Sequence, residues 1–326
     1  MSAPAQDLER LAALAETPAP TDRRRMLLII NPYATSMTPH IRTLVLYALQ
    51  ARYEVDAVDT QTRGHATELC REAADEGYDL IVTLGGDGTV NEAANGLAGS
   101  STPLSCLPGG ATNVLCKMLG IPGDIVGATA HLLRLADAWR PQRIDLARVN
   151  GRHFTFSGGM GLDAAVVKRV DERPARKTAL RGWYFGWSAM RTFAAEYVMD
   201  PPQLEVQAAG RTMHGVTAVV QNGGPLTYFN DRPLYVADRS RLDSGTLAGA
   251  ILERASPLDM PTFMARLFIG PSVTGHRRVT GFSDVSDIQI RSLDERPVPL
   301  EVDGDWIGDV LEADFGVTPG GLTVLA

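Results

Sequence analysis

The chain has 326 residues, 44% of them hydrophobic, with 31 lysines and arginines against 38 aspartates and glutamates for a net charge of −7. That length suits two moderate cores better than a single large one. The acidic balance excludes nucleic acid or anionic lipid as a partner drawn by general charge, and any basic docking face must be local. Three cysteines, Cys70, Cys106 and Cys116, stand in no metal or redox spacing and read as reduced thiols of a cytoplasmic protein. No apolar run reaches the roughly 20 residues needed to span a bilayer.

Residues 1–22, rich in alanine and proline, lack the apolar stretch of a signal peptide and are expected to form a disordered or helical leader. From Met26 short apolar strands then alternate with helical patterns: strands at 26–30, 53–58, 80–84 and 104–107, helices at 38–51, 65–76 and 89–97. Strands apolar throughout suit a parallel sheet covered on both faces. The segment 23–143 therefore predicts a three-layer α/β domain. Beyond it the texture changes to strands punctuated by glycine, proline and aspartate, at 144–149, 153–157, 203–208, 211–221 and 246–252, with helical stretches at 164–198 and 257–268. An antiparallel β-sandwich over 144–310 follows, with 311–326 free to pair back onto the first domain.

Three strand-to-helix loops carry the chemistry. Gly85-Gly86-Asp87-Gly88-Thr89-Val90-Asn91-Glu92 joins a buried strand to a helix start, where glycine allows close approach and unpaired amides face an anion. Asp87 inside such a cradle would repel a polyphosphate unless Mg²⁺ or hydrogen bonds intervene. Asn31-Pro32-Tyr33-Ala34-Thr35 and Pro108-Gly109-Gly110-Ala111-Thr112-Asn113 also follow strands, at the edge where parallel sheets meet ligands. Neither GxxxxGK[ST] nor GxGxxG is present, so a nucleotide must be held by another loop architecture.

These loops, in this order and followed by Val302-Asp303-Gly304-Asp305, resemble the diacylglycerol kinase catalytic-domain family of lipid kinases, in an actinobacterial wording. The resemblance runs from about Arg25 to the C-terminus, and its GGDGTxNE segment is shared in shorter form with NAD kinases and phosphofructokinases. It implies an N-terminal nucleotide domain, a C-terminal β-sandwich, an active site in the cleft between them, and ATP and Mg²⁺ as cofactors. On that pattern Asn31, Pro32, Thr35, Gly85, Gly86, Asp87, Gly88, Thr89, Asn91 and Glu92 contact ATP. Thr60, in a T-x-x-x-G-x-A arrangement with Gly64 and Ala66, adds a further contact, and so do Gly110, Thr112 and Asn113. Asp303 and Asp305 are the candidate bases for the acceptor hydroxyl, and Asp87 is a third carboxylate for metal positioning or proton abstraction.

The chain departs from the family pattern at three places. Ala34-Thr35-Ser36 replaces the usual Ser-Gly, Ala111 precedes Thr112 where a hydroxyl is usual, and Ser244 follows Asp243 where a second aspartate would complete a structural Mg²⁺ site. The expected function is ATP-dependent phosphorylation of a lipid alcohol, diacylglycerol by default, with a soluble NAD kinase-like enzyme or a non-catalytic nucleotide or lipid sensor as alternatives. Peripheral contact with the inner face of the cell membrane is expected. Lys168, Arg169, Arg173, Arg176, Lys177 and Arg181, followed by Trp183, Tyr184, Phe185 and Trp187, read either as that docking patch or as a solvated run entering a core-packed helix. The acceptor lipid and a homodimeric state are not legible.

Overall fold

The computed structural model describes residues 23–34, 38–171, 200–229, 231–237 and 241–326. They form two compact units, one made of the described residues up to Ile144 together with Gly320–Ala326, the other of Asp145–Pro319.

In the first unit, β1 (Arg24–Ile30), β2 (Tyr53–Asp59), β3 (Leu80–Gly85) and β4 (Leu104–Pro108) are parallel in the order β2-β1-β3-β4. The end of the last strand, β18 (Glu312–Val324), adds to β4 in parallel through Val324 and Leu104. β3 and β4 are buried along their whole length, as strands with a helix on each face must be. On the sheet α1 (Pro39–Gln50) packs with α5 (Ile125–Asp137), and α2 (His65–Asp75) packs with α3 (Asp87–Leu97); a short α4 (Val114–Met118) follows β4. Helix starts are set locally. Thr38 accepts from the Ile41 amide at 3.2 Å with Pro39 behind it, and Asp124 accepts from the Gly127 amide at 2.7 Å. Arg52 holds Asp137 with two bonds of 3.1 Å, and the Tyr53 hydroxyl donates to the Leu132 carbonyl at 3.0 Å, so α5 is tied to the edge at β2. Cys70, Cys106 and Cys116 are free and buried.

The second unit is a sandwich of antiparallel sheets. The elements are β5 (Gln142–Val149), β6 (Arg152–Phe154), β7 (Ser157–Met160), α6 (Leu162–Asp171), β8 (Leu204–Ala208), β9 (Arg211–Gly215), β10 (Thr217–Gln221), β11 (Thr227–Phe229), β12 (Arg232–Leu234), β13 (Leu247–Leu252), α7 (Met260–Ile269), β14 (Val279–Val285), β15 (Asp287–Ser292), β16 (Val298–Val302) and β17 (Asp305–Val310). One sheet has the order β14-β13-β10-β7-β16-β17; the other pairs β9-β8-β15 with the first part of β18, and β5 joins β18 and β6. β15 alternates exposed and buried residues, which marks one face on the core and one in water. β10 and β13 are buried throughout, because one face meets the opposite sheet and the other lies under the cluster packed by Met260, Phe263 and Leu267 of α7. Phe154 and Phe315 meet edge to face at 6.0 Å in the core between the sheets.

The structure departs from the periodicity where tertiary contacts intervene. The strand expected at 211–221 divides at Val216 between the two sheets. The crossing needs Gly215, where a Cβ would lie 2.4 Å from Ile251 Cγ2. The strand expected at 153–157 breaks because the amides of Thr155, Phe156 and Ser157 turn to a carboxylate described below. The helix expected from 257 begins at Met260, and of the helix expected over 164–198 the described part is Leu162–Asp171. The remainder, and the leader at 1–22, lie outside the described residues.

Candidate functional site

The three loops of the first unit meet through their backbones. Asn31 N donates to the Leu84 carbonyl at 2.9 Å, and its Nδ2 reaches Thr89 Oγ1 at 3.2 Å. Gly109 N donates to the Gly85 carbonyl at 2.8 Å, and a Cβ placed on Gly110 would lie 2.6 Å from Gly86 Cα. Glycine is required at this approach because any side chain would part the second and third loops. Asn113, in the left-handed region at φ 49°, accepts from Gly110 N and donates to Gly110 O, both at 2.9 Å, and so closes the third loop on itself. Asp87 ties the second loop to the third: Oδ1 accepts from Val114 N at 2.6 Å and Oδ2 from the Thr112 hydroxyl at 2.8 Å. Gly86, the cap residue of α3, brings no side chain to its first turn, and the one acid of that turn, Asp87, is engaged by the third loop, which leaves the glycine backbone there uncapped by a side chain.

Not every residue of the sequence motifs faces a ligand position. Glu92 accepts from Gly64 N at 2.8 Å and Ala66 N at 3.2 Å, which caps α2, and its carbonyl accepts from the Thr67 hydroxyl. Asn91 is buried and accepts from Asn95, whereas Thr60 is half-buried with its amide on the Ile30 carbonyl. Pro32 lies in an exposed turn after β1, Gly88 falls in the first turn of α3, and Thr35 is outside the described residues.

In the second unit, Asp303 and Gly304 form the two-residue turn between β16 and β17, both with positive φ, 50° and 79°. This is the hairpin geometry that Asp-Gly favours. The Asp303 carboxylate accepts four hydrogen bonds, from Thr155 N and Oγ1 at 2.7 and 2.8 Å and from the amides of Phe156 and Ser157 at 2.9 and 3.1 Å. Those bonds fill the acceptor sites of a carboxylate and make Asp303 the anchor of the hairpin. Asp305 opens β17 half-buried, two residues beyond that anchor.

Two acids that the sequence reading passed over lie beside this turn. Glu301 is buried opposite Gly159 in the β16–β7 register, and its Oε2 accepts from Gly304 N at 2.8 Å. Asp163, at the start of α6, folds back over Gly159, where a Cβ would lie between 1.9 and 3.0 Å from the carboxylate atoms. Its Oδ1 meets the Thr217 hydroxyl at 3.2 Å, and its Oδ2 is buried without a hydrogen-bond partner. Burial raises the Asp163 carboxyl to about 6. Burial first, and the nearby Asp163 second, push Glu301 well above the usual carboxylate range.

The description "Diacylglycerol kinase catalytic domain" matches residues 25–149, and "YegS C-terminal NAD kinase beta sandwich-like domain" matches residues 132–326. The chain belongs to the diacylglycerol kinase family. It is 27% identical over 299 residues to a diacylglycerol kinase of Staphylococcus aureus (strain bovine RF122 / ET3-1), an alignment spanning 90% of this chain and 89% of that one. It is 30% identical over 196 residues to a diacylglycerol kinase of Bacillus subtilis (strain 168), where the alignment spans 59% of this chain and 62% of the relative's length. A solved diacylglycerol kinase from Bacillus anthracis shares the fold, with a TM-score of 0.72 and 23% identity, covering 94% of this chain and 98% of that one. The α/β domain and the β-sandwich are those of this family of lipid kinases, and membership makes the chain a kinase.

Where this member carries Asp243 and Ser244, the Arg241 guanidinium holds both Asp243 oxygens at 2.7 and 2.8 Å and keeps that exposed carboxyl below its usual range. Ser244 donates instead to the Arg241 carbonyl. A cation would have to displace that guanidinium, and the described residues contain no group of three or more His, Cys, Asp or Glu able to hold a metal ion. Lys168 lies 2.6 Å from Asp309 and over the Trp306 ring; Arg173 to Trp187 of the basic aromatic segment lie outside the described residues. No described helix is long and apolar enough to cross a membrane.

Proposed function

We propose that this kinase transfers the γ-phosphoryl group of ATP to the hydroxyl of a lipid alcohol, with diacylglycerol as the acceptor and phosphatidic acid as the product. The observation that carries the reading is the side-chain-free approach of Gly86 to Gly110 beside the glycine-capped start of α3, which suits a polyphosphate held by amides. The relatives' printed names supply the acceptor class. In the transfer the acceptor oxygen bonds to the γ-phosphorus, the bond from that phosphorus to the β,γ-bridging oxygen breaks with its electron pair leaving on ADP, and the acceptor proton passes to a carboxylate. We assign that carboxylate to Asp305, because the oxygens of Asp303 already accept four donors. Asp243, held by Arg241, does not fit a magnesium site, whereas Asp87 accepts one bond on each oxygen and keeps acceptor capacity.

Incubation of the full chain with γ-labelled ATP, NAD and vesicles containing diacylglycerol should move label into the lipid extract. Asp305→Asn should lower that turnover at least about 100-fold with nucleotide affinity unchanged. Label appearing in NAD rather than lipid, or in neither, overturns the proposal.

A further inference from the structure

α7 is an unusual surface helix. Met260, Phe263 and Leu267 pack against the sandwich, yet the solvent side of Met-Pro-Thr-Phe-Met-Ala-Arg-Leu-Phe-Ile is also largely apolar, with Pro261, Met264, Ala265 and Ile269 exposed and no carboxylate anywhere in the helix. A helix at the edge of a soluble domain ordinarily shows water a charged face. The apolar surface continues at both ends. Leu258, just before the helix, is 88% exposed and Ile269, at its end, 74%. The β11–β12 hairpin adds Phe229, 54% exposed, whose ring meets Phe268 at 5.2 Å. Arg232 from the same hairpin donates to the Ile269 carbonyl at 2.9 Å, which fixes hairpin and helix as one surface.

The charges around this patch oppose those of the whole chain. Between Arg254 and Arg278 there are four arginines and a single carboxylate, Asp259, in a protein of net charge −7. Asp259 is itself buried and shared by Arg277 and Arg278, so the pair keeps a positive excess. Arg232, beside the exposed Asp231 in the hairpin turn, donates to a neutral carbonyl.

The geometry points to a bilayer rich in anionic phospholipid as the occupant of this surface: Leu258, Met264, Ile269 and Phe229 enter the acyl boundary while the arginine rim meets the headgroups. The lipid-kinase reading explains why such a surface would be useful, but the surface itself stands on exposure and charge. An apolar patch rimmed by arginine matches an interface where one side is hydrocarbon and the other phosphate. Another copy of this acidic chain would not supply that pairing.

Flotation of the full chain with phosphatidylcholine vesicles, with and without phosphatidylglycerol, tests this directly. The wild type should float with the anionic vesicles, and Leu258→Glu/Ile269→Glu should lose that binding at least tenfold. Both positions are exposed, and circular dichroism and activity on a dispersed short-chain diacylglycerol should be unchanged in the variant. Undiminished vesicle binding by the variant overturns the assignment. So does a wild-type dimer on size exclusion that the two substitutions convert to monomer, since a second copy would then cover the patch. A chain that floats through Ile269 yet phosphorylates no lipid retains the docking surface and defeats only the kinase reading.

Discussion

The two units use carboxylates in opposite ways. In the first, Asp87 and Glu92 each receive donors on both oxygens and work as ties between loops, while the ligand surface is left to glycine backbone. In the second, Asp303 is a similar tie, but Asp163 and Glu301 both lie beside Gly159, and their charged forms are disfavoured there. A carboxylate that meets amides is a stable anion and a poor proton acceptor. One that is short of donors retains its affinity for protons. The same residue type thus serves as an anionic tie in one place and is pushed toward its neutral form in the other, according to how many N–H and O–H groups surround it.

Substitutions that separate these roles sharpen the contrast, and the largest effect on nucleotide binding is expected at Gly110. Gly110→Ala places a Cβ against Gly86 and should weaken nucleotide binding at least tenfold, read by equilibrium titration, with a smaller loss of melting temperature. Asp303→Asn should act on the fold, because its amide would oppose donors from Thr155, Phe156 and Ser157. We expect a loss of about 2–4 kcal/mol in denaturant unfolding, unlike Asp305→Asn, whose stability should match the wild type. The smallest effect has the opposite sign. The Asp163 carboxyl is raised in the folded protein from 3.8 to about 6, so its contribution to stability is fully present below pH 3.8 and is lost as pH rises to about 6. Asp163→Asn should therefore stabilise the fold above that range by on the order of 2 kcal/mol, and melting curves from pH 4 to pH 8 should show the gap opening across that window. A constant gap would mean that the carboxylate is solvated after all.

What could be read from the chain follows the range over which the physics acts. The strands, the three loops and the Asp-Gly turn are local: glycine at a strand end, a helix start behind it, and buried strands on either side all lie within a few residues. The division of 211–221 between two sheets depended on Ile251, which approaches Gly215 only in the folded sandwich. The role of Asp303 was likewise hidden in its partners at 155–157, and the Asp163–Glu301 pair in the register that sets Glu301 opposite Gly159. The small residues of Ser157-Gly158-Gly159-Met160 were a signal of a close approach on that strand, though not of what approaches. The helix at Ile125–Asp137 was passed over even though Asp124 announces its start.

Glu92 has a consequence for how a phosphate would find its position. α2 and α3 lie side by side, and each begins with a concentration of unpaired amides. Because the protein places its own anion over the beginning of α2, that attractive spot is already neutralised, while at the beginning of α3 the resident acid, Asp87, is bonded to Val114 N and the Thr112 hydroxyl of the third loop. On the proposed reading, an incoming polyphosphate would meet a single address instead of two competing ones. Replacing Glu92 with a neutral residue would unmask the decoy.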